Sequence, residues 1–312
     1  IRMTLRHGQA VWLMVAVTLM WSIAGVVTRQ LTHAASFEVT FWRSLFTALS
    51  LMVILPLWRG AGVFRTLPWR STAFWLSGVC WSIMFTAFMV ALTLTTVGKV
   101  LVTMSVGPLF TAVMARVFIG HKLPRRTWVA VAIAGVGIAY MFGSQAQLGE
   151  AEGLVGSLVA LMVPIAGAAN WTIVQRAQAQ QDKVDLVPSV LVGAVISTLV
   201  TFPLAVPFSA TLPDVGWLAF LGLVQLAIPC VLSVICARYL MAPEVSLLAL
   251  LEVIFGIALV WWVANEAPRA STLIGGSLVI GALLGNELLG WRQRKLQGAE
   301  QERQEPIQPP IS

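Results

Sequence analysis

Two charged side chains stand inside long apolar runs of this sequence, and their types and placement make them the first candidates for chemistry. Arg43 falls near the start of the run Phe37–Trp58, and Glu252 near the middle of Val245–Ala264, among Leu247, Leu248, Leu250, Leu251, Ile254 and Phe255. A charge at that depth in an apolar helix is costly unless it faces a partner or a water-filled cavity. A guanidinium there suits a carboxylate ligand or a gating partner, and a carboxyl suits an ammonium ligand or a transferable proton. The structural alternative is that each serves the scaffold, Arg43 by bonding to carbonyls and Glu252 by pairing with Arg43 or capping a broken helix.

Around this pair, Asn170-Trp171, Trp21 and Trp81 read as candidate lining for a small-ligand pocket, because a buried amide and a central indole N–H both need partners. The chain has thirteen tryptophans, so most are expected at the membrane interface or against lipid. Lys99 opens its run, where the helix dipole disfavours a cation, and it reads as snorkelling to the interface or lining a vestibule. Glu244 is an N-terminal capping acid by the same electrostatics, and Glu287 is expected to pair with Arg292 or Arg294. Pro108, Pro164 and Pro229 lie within apolar runs, where proline frees a carbonyl and kinks a helix. They are the candidate hinges, with plain bundle curvature as the alternative. The spacings Gly281/Gly285 and Ala130/Ala134 read as packing or homodimer faces.

The elements that must hold these residues follow from composition. Apolar residues make up 58% and charged residues 11%, against about 45–50% and about 25% in soluble domains. Runs of bilayer length are placed at Gln9–Thr28, Phe37–Trp58, Thr72–Thr95, Val97–Ile119, Arg126–Gly143, Gly153–Gln175, Leu186–Val206, Val215–Leu240, Val245–Ala264 and Ser271–Trp291. They are too long and too uniformly apolar for barrel strands, so an all-α membrane protein of ten transmembrane helices is expected. Sixteen Lys and Arg fall on one side of that topology and three on the other, with Arg43 inside a run. The positive-inside rule then puts both termini in the cytoplasm. The net charge of +7 reads as topology rather than nucleic-acid binding. Cys80, Cys230 and Cys236 are buried small hydrophobes, and the three histidines form no cluster. No metal or cofactor is expected, and neither a His-Glu-x-x-His nor a Gly-x-Ser-x-Gly stretch suggests an enzyme.

The halves resemble each other. Gly107-Pro108-Leu109-Phe110 precedes Gly120-His121-Lys122 as Glu252-Val253-Ile254-Phe255 precedes Asn265-Glu266-Ala267, and one common offset also carries Lys99 onto Glu244. Five runs per half would invert the second half relative to the first, an arrangement recurrent in secondary transporters. The expected units are residues 1–144, residues 145–296 and a disordered cytoplasmic tail over residues 297–312.

Trp21-Ser22, Phe41-Trp42-Arg43, Gly107-Pro108-Leu109-Phe110 ahead of Gly120-His121-Lys122-Leu123, and Leu251-Glu252 together resemble the drug/metabolite transporter superfamily, EamA type. The resemblance covers residues 9–291. The family's usual proline after the second-half glutamate is Val253 here. What the resemblance implies is a ten-helix exporter of amino acids or related metabolites in the bacterial inner membrane, taking a small-molecule substrate into a central cavity by alternating access. The competing classes are a membrane-embedded enzyme and a passive channel or structural subunit. The absence of a nucleotide-binding loop argues against direct use of ATP.

Overall fold

Apolar runs that leave the backbone without water must bond it internally, and this chain does so with helices. The computed structural model describes residues 5–31, 36–120, 125–147, 151–179, 184–240, 242–265 and 267–304, among which there is no strand. The helices are α1 (His7–Thr28), α2 (Ser36–Arg59), α3 (Thr72–Leu94), α4 (Val97–Met104), α5 (Gly107–Ile119), α6 (Arg125–Gln147), α7 (Ala151–Ala179), α8 (Ser189–Ala205), α9 (Leu212–Phe220), α10 (Ile228–Cys236), α11 (Ala242–Ala264) and α12 (Ala270–Gln304). A short 3₁₀ turn, Ala61–Arg65, follows α2, and a π-helical segment, Leu221–Ala227, joins α9 to α10.

Seven helical stretches are long and apolar enough to cross a membrane, and three shorter apolar ones are Trp128–Gly137, Ser189–Ala205 and Leu248–Ala264. Each expected run holds one of these stretches, but two runs are not single helices. The fourth breaks at Ser105–Val106, where Pro108 sits in the first turn of α5 and cannot donate the bond that would continue α4. The eighth widens into the π segment just ahead of Pro229, which likewise lies in the first turn of α10. By contrast α11 runs unbroken through Glu252-Val253, as the missing proline there allows. α12 continues into the stretch read as a tail, as far as Gln304. His121, Lys122 and Leu123, the side chain of Glu287 and residues 305–312 lie outside the described residues.

Polar contacts tie the helix ends into two groups. At one end His7 meets Glu244 at 3.3 Å, and Arg59 and Arg238 both bind Asp185. At the other, Arg29 donates to the carbonyls of Leu92 and Thr95. There too Glu38 accepts from the backbone N–H groups of Ser209 and Ala210, the Ser209 hydroxyl and the Trp42 indole. An apolar layer packs below each end, one around Met14, Leu51, Leu55 and Phe74, the other around Met89, Leu92, Leu218 and Leu221.

Helix packing is close where glycine permits it. A methyl built on Gly193 of α8 would strike the Trp81 side chain and lie 2.9 Å from the Gly78 carbonyl of α3. One built on Gly222 in the π segment would lie 2.9 Å from the Arg43 carbonyl of α2. Ala130 and Ala134 are buried within the chain, and Ala134 packs in one cluster with Val279 of α12. Gly281 and Gly285 have open space around them.

Candidate functional site

Between the two apolar layers lies a cavity of about 130 Å³. Its walls come from both halves: Trp21 of α1, Arg43 of α2, Trp81, Phe85 and Phe88 of α3, Met104 to Thr111 across the α4–α5 break, Val163 to Trp171 of α7, Gln225 and Cys230 around the π segment, and Ala249 to Val253 of α11.

Arg43 is fully buried, and its surroundings account for that. Nη1 donates to Gln225 Oε1 at 3.2 Å, Nη2 donates to the Phe85 carbonyl at 2.8 Å, and the guanidinium lies 5.8 Å from the centre of the Phe88 ring. Its Nε–H has no partner. Glu252 is buried on the facing helix α11. The two charges lie within electrostatic reach of one another, yet no ion pair joins them. The pairing considered in the sequence is therefore not the arrangement adopted here.

The aromatic wall is built on one face of α3. Trp81 meets Trp171 edge to face at 5.8 Å between centroids, and packs on Phe85 at 5.5 Å. The Trp81 indole N–H is buried without a partner. Trp21 lines the cavity beside the Gln225 amide, which donates to the Trp21 carbonyl at 3.3 Å.

The cavity thus gathers Arg43, Glu252, Trp21, Trp81 and Trp171, together with the prolines Pro108 and Pro164. Three expected residues lie off it. Asn170 is buried in the seam of α3, α7 and α8, where it accepts from Ser77 at 2.6 Å and Ser77 also contacts Ser189 at 2.7 Å. Helix geometry explains this, because adjacent residues point about 100° apart and Trp171 takes the cavity side. Lys99 is buried in the first turn of α4, whose N–H is capped by the Thr96 hydroxyl at 3.4 Å, away from the cavity. Pro229 sits behind the lining residues Gln225 and Cys230. Gln225 itself was missed in the sequence, although a lone amide inside an apolar run was the same signal that singled out Asn170.

Opposite charges, aromatic walls and unpartnered donors thus line one cavity. Among the described residues no group of His, Cys, Asp and Glu could hold a metal ion. An apolar helix bundle enclosing such a cavity defines a polytopic membrane protein that binds small solutes. The family model for EamA-like transporters matches residues 8–143 and again residues 154–286, and the chain belongs to that family: it is a multi-pass membrane transporter, not an enzyme. Two similar proteins are the S-adenosylmethionine uptake transporters of Rickettsia bellii (strain RML369-C) and Rickettsia conorii (strain ATCC VR-613 / Malish 7). They are 24% and 23% identical over 255 residues, covering 81% of this chain and 84% and 83% of theirs. A solved crystal structure shares the fold with a TM-score of 0.64 at 18% identity, over 92% of this chain and 99% of that one.

Proposed function

We propose that this chain is a secondary transporter of the bacterial inner membrane that carries amino acids or amino-acid-bearing metabolites through the central cavity by alternating access. The observation that carries this reading is the placement of Arg43 and Glu252 on facing helices of one aromatic-walled cavity without an ion pair between them. A carboxylate and an ammonium on one substrate would complement them. Arg43, Glu252, Trp21, Trp81 and Trp171 are the proposed contacts, with Pro108, Pro164 and Pro229 as the hinge points.

Ten spans in two inverted five-helix units fit the packing. Numbering the apolar runs from one to ten, the contacts of α1 with α11 and of α4–α5 with α7 exchange when each run n is replaced by n+5. The contacts of α3 with α8 and of α2 with the π segment exchange in the same way. The pairs α2–α8 and α6–α12 map onto themselves. Termini in the cytoplasm fit the basic residues Arg59, Arg65, Arg70 and Arg238, which fall at the end of the bundle that also holds His7.

The family resemblance favours export, while the two relatives are named for uptake of S-adenosylmethionine, itself an amino-acid derivative. The test is counterflow in proteoliposomes with labelled amino acids, their decarboxylated amines and S-adenosylmethionine, beside Arg43→Ala and Glu252→Gln. Exchange of a subset, abolished in folded Arg43→Ala, supports the reading. No exchange by wild type across the panel removes the substrate class. Full exchange by both variants removes the site. Initial fluxes in oriented vesicles then assign the direction.

A further inference from the structure

Two opposite charges inside a low-dielectric bundle attract each other strongly, so a gap between Arg43 and Glu252 must be held open by something. Arg43 offers five N–H donors. The Phe85 carbonyl takes one at 2.8 Å and Gln225 Oε1 another at 3.2 Å. The orientation of the Gln225 amide is not free. Its Nε2 donates to the Trp21 carbonyl at 3.3 Å, which leaves only the oxygen to face the guanidinium. A carbonyl on one side and a guanidinium on the other admit this amide in one sense only.

The backbone carrying Gln225 is equally specific. Gln225 lies within the π segment Leu221–Ala227, where i→i+5 bonding turns side chains out of α register, as often happens at functional sites. Gly222 in the same segment lets the helix approach the Arg43 backbone, and the Gly222 carbonyl accepts from the Thr47 hydroxyl at 3.1 Å. One short segment therefore fixes both the main chain and the side chain of Arg43.

We infer that Gln225 is a positioning residue that holds the Arg43 guanidinium off Glu252, so that the cavity presents two separate charges to a zwitterionic head group. Remove the amide oxygen and Arg43 turns to Glu252, and the site closes on itself. This rests on the reading of the cavity as a substrate site, but one arm of its test needs no substrate. The melting temperature of the purified protein in detergent is measured for Glu252→Gln in three backgrounds: wild type, Gln225→Met and Gln225→Glu. Met keeps the length and removes the acceptor, while Glu keeps an acceptor for Arg43. The change caused by Glu252→Gln should be more destabilising by a few degrees in the Met background than in wild type, because only there does it break an ion pair. In the Glu background, where the new carboxylate holds Arg43 and repels Glu252, it should be no more destabilising than in wild type. The same Glu252→Gln effect in the Met background as in wild type overturns the inference, whatever transport shows. Should the Met variant fail to fold, Gln225→Leu replaces it, and a Glu background in which Glu252→Gln destabilises as much as in the Met or Leu background overturns the inference by itself.

In counterflow, Gln225→Met should raise KM for amino-acid substrates at least tenfold and alter the maximal rate far less, with KM for the decarboxylated amine raised as well. Gln225→Glu should raise KM for carboxylate-bearing substrates alone. A fall confined to the maximal rate would mark a structural role and sink the assignment. Absence of wild-type exchange would remove the transport reading while leaving the melting arm to decide on the contact.

Discussion

Arg43 shows how a buried charge is kept usable. Its three attractions, to Gln225 of the π segment and to the Phe85 carbonyl and the Phe88 ring of α3, leave Nε unpartnered. Lysine has a single ammonium head and cannot reproduce this fork, so Arg43→Lys should lower counterflow by at least about tenfold, a loss of about 1.4 kcal/mol in binding or transition-state free energy. Asn170 gives the contrasting case. Its bonds run to Ser77 in a buried seam, so Asn170→Ala should cost about 1–3 kcal/mol of stability and leave substrate KM unchanged. Thermal unfolding together with KM separates the two roles, and a raised KM with unchanged stability would return Asn170 to the cavity.

At the scale of helices, the site depends on crossings that leave no room for a β-carbon. Gly193 packs against Trp81 and the Gly78 carbonyl, so the α3–α8 crossing sets where the aromatic wall stands. Gly193→Ala must push these helices apart, at about 1–3 kcal/mol for overpacking, and should displace Trp81. The expected result is a lower melting temperature together with weaker substrate binding. Retention of both would show that the crossing is more yielding than its geometry. The π segment and the α4–α5 break do related work: each places a proline where the helix must deform, and each deformation borders the cavity.

For the whole molecule, the network of Arg59, Asp185 and Arg238 joins the end of α2, the approach to α8 and the end of α10. Asp185→Asn therefore leaves two like charges facing each other and should loosen that end of the bundle. Cys230, a cavity thiol, reports on it. Maleimide labelling of Cys230 should speed up in Asp185→Asn when the reagent is applied from the side of Arg59, and substrate should slow it. An unchanged rate would mean that the network does not govern access. A reporter fused at the C-terminus tests the proposed topology, since it should fold and fluoresce in the cytoplasm as a green fluorescent protein.

Composition and run length by themselves determined an all-helical membrane protein, because an apolar backbone without water has to bond within its own segment. The motifs at Trp21, Trp42-Arg43, Gly107-Pro108 and Glu252 carried the family. Intramembrane charge singled out Arg43 and Glu252 as candidates, because burial of charge is costly, and both line the cavity. The tertiary structure decided what spacing could not. It separated Trp171 from Asn170 by the rotation of one residue on α7. It turned Gln225 onto Arg43 through a π segment that no local pattern announces, and it held Arg43 off Glu252. Those outcomes depend on where helices distant in sequence cross, and glycine contacts such as those of Gly193 and Gly222 fix the crossings only once the bundle is assembled.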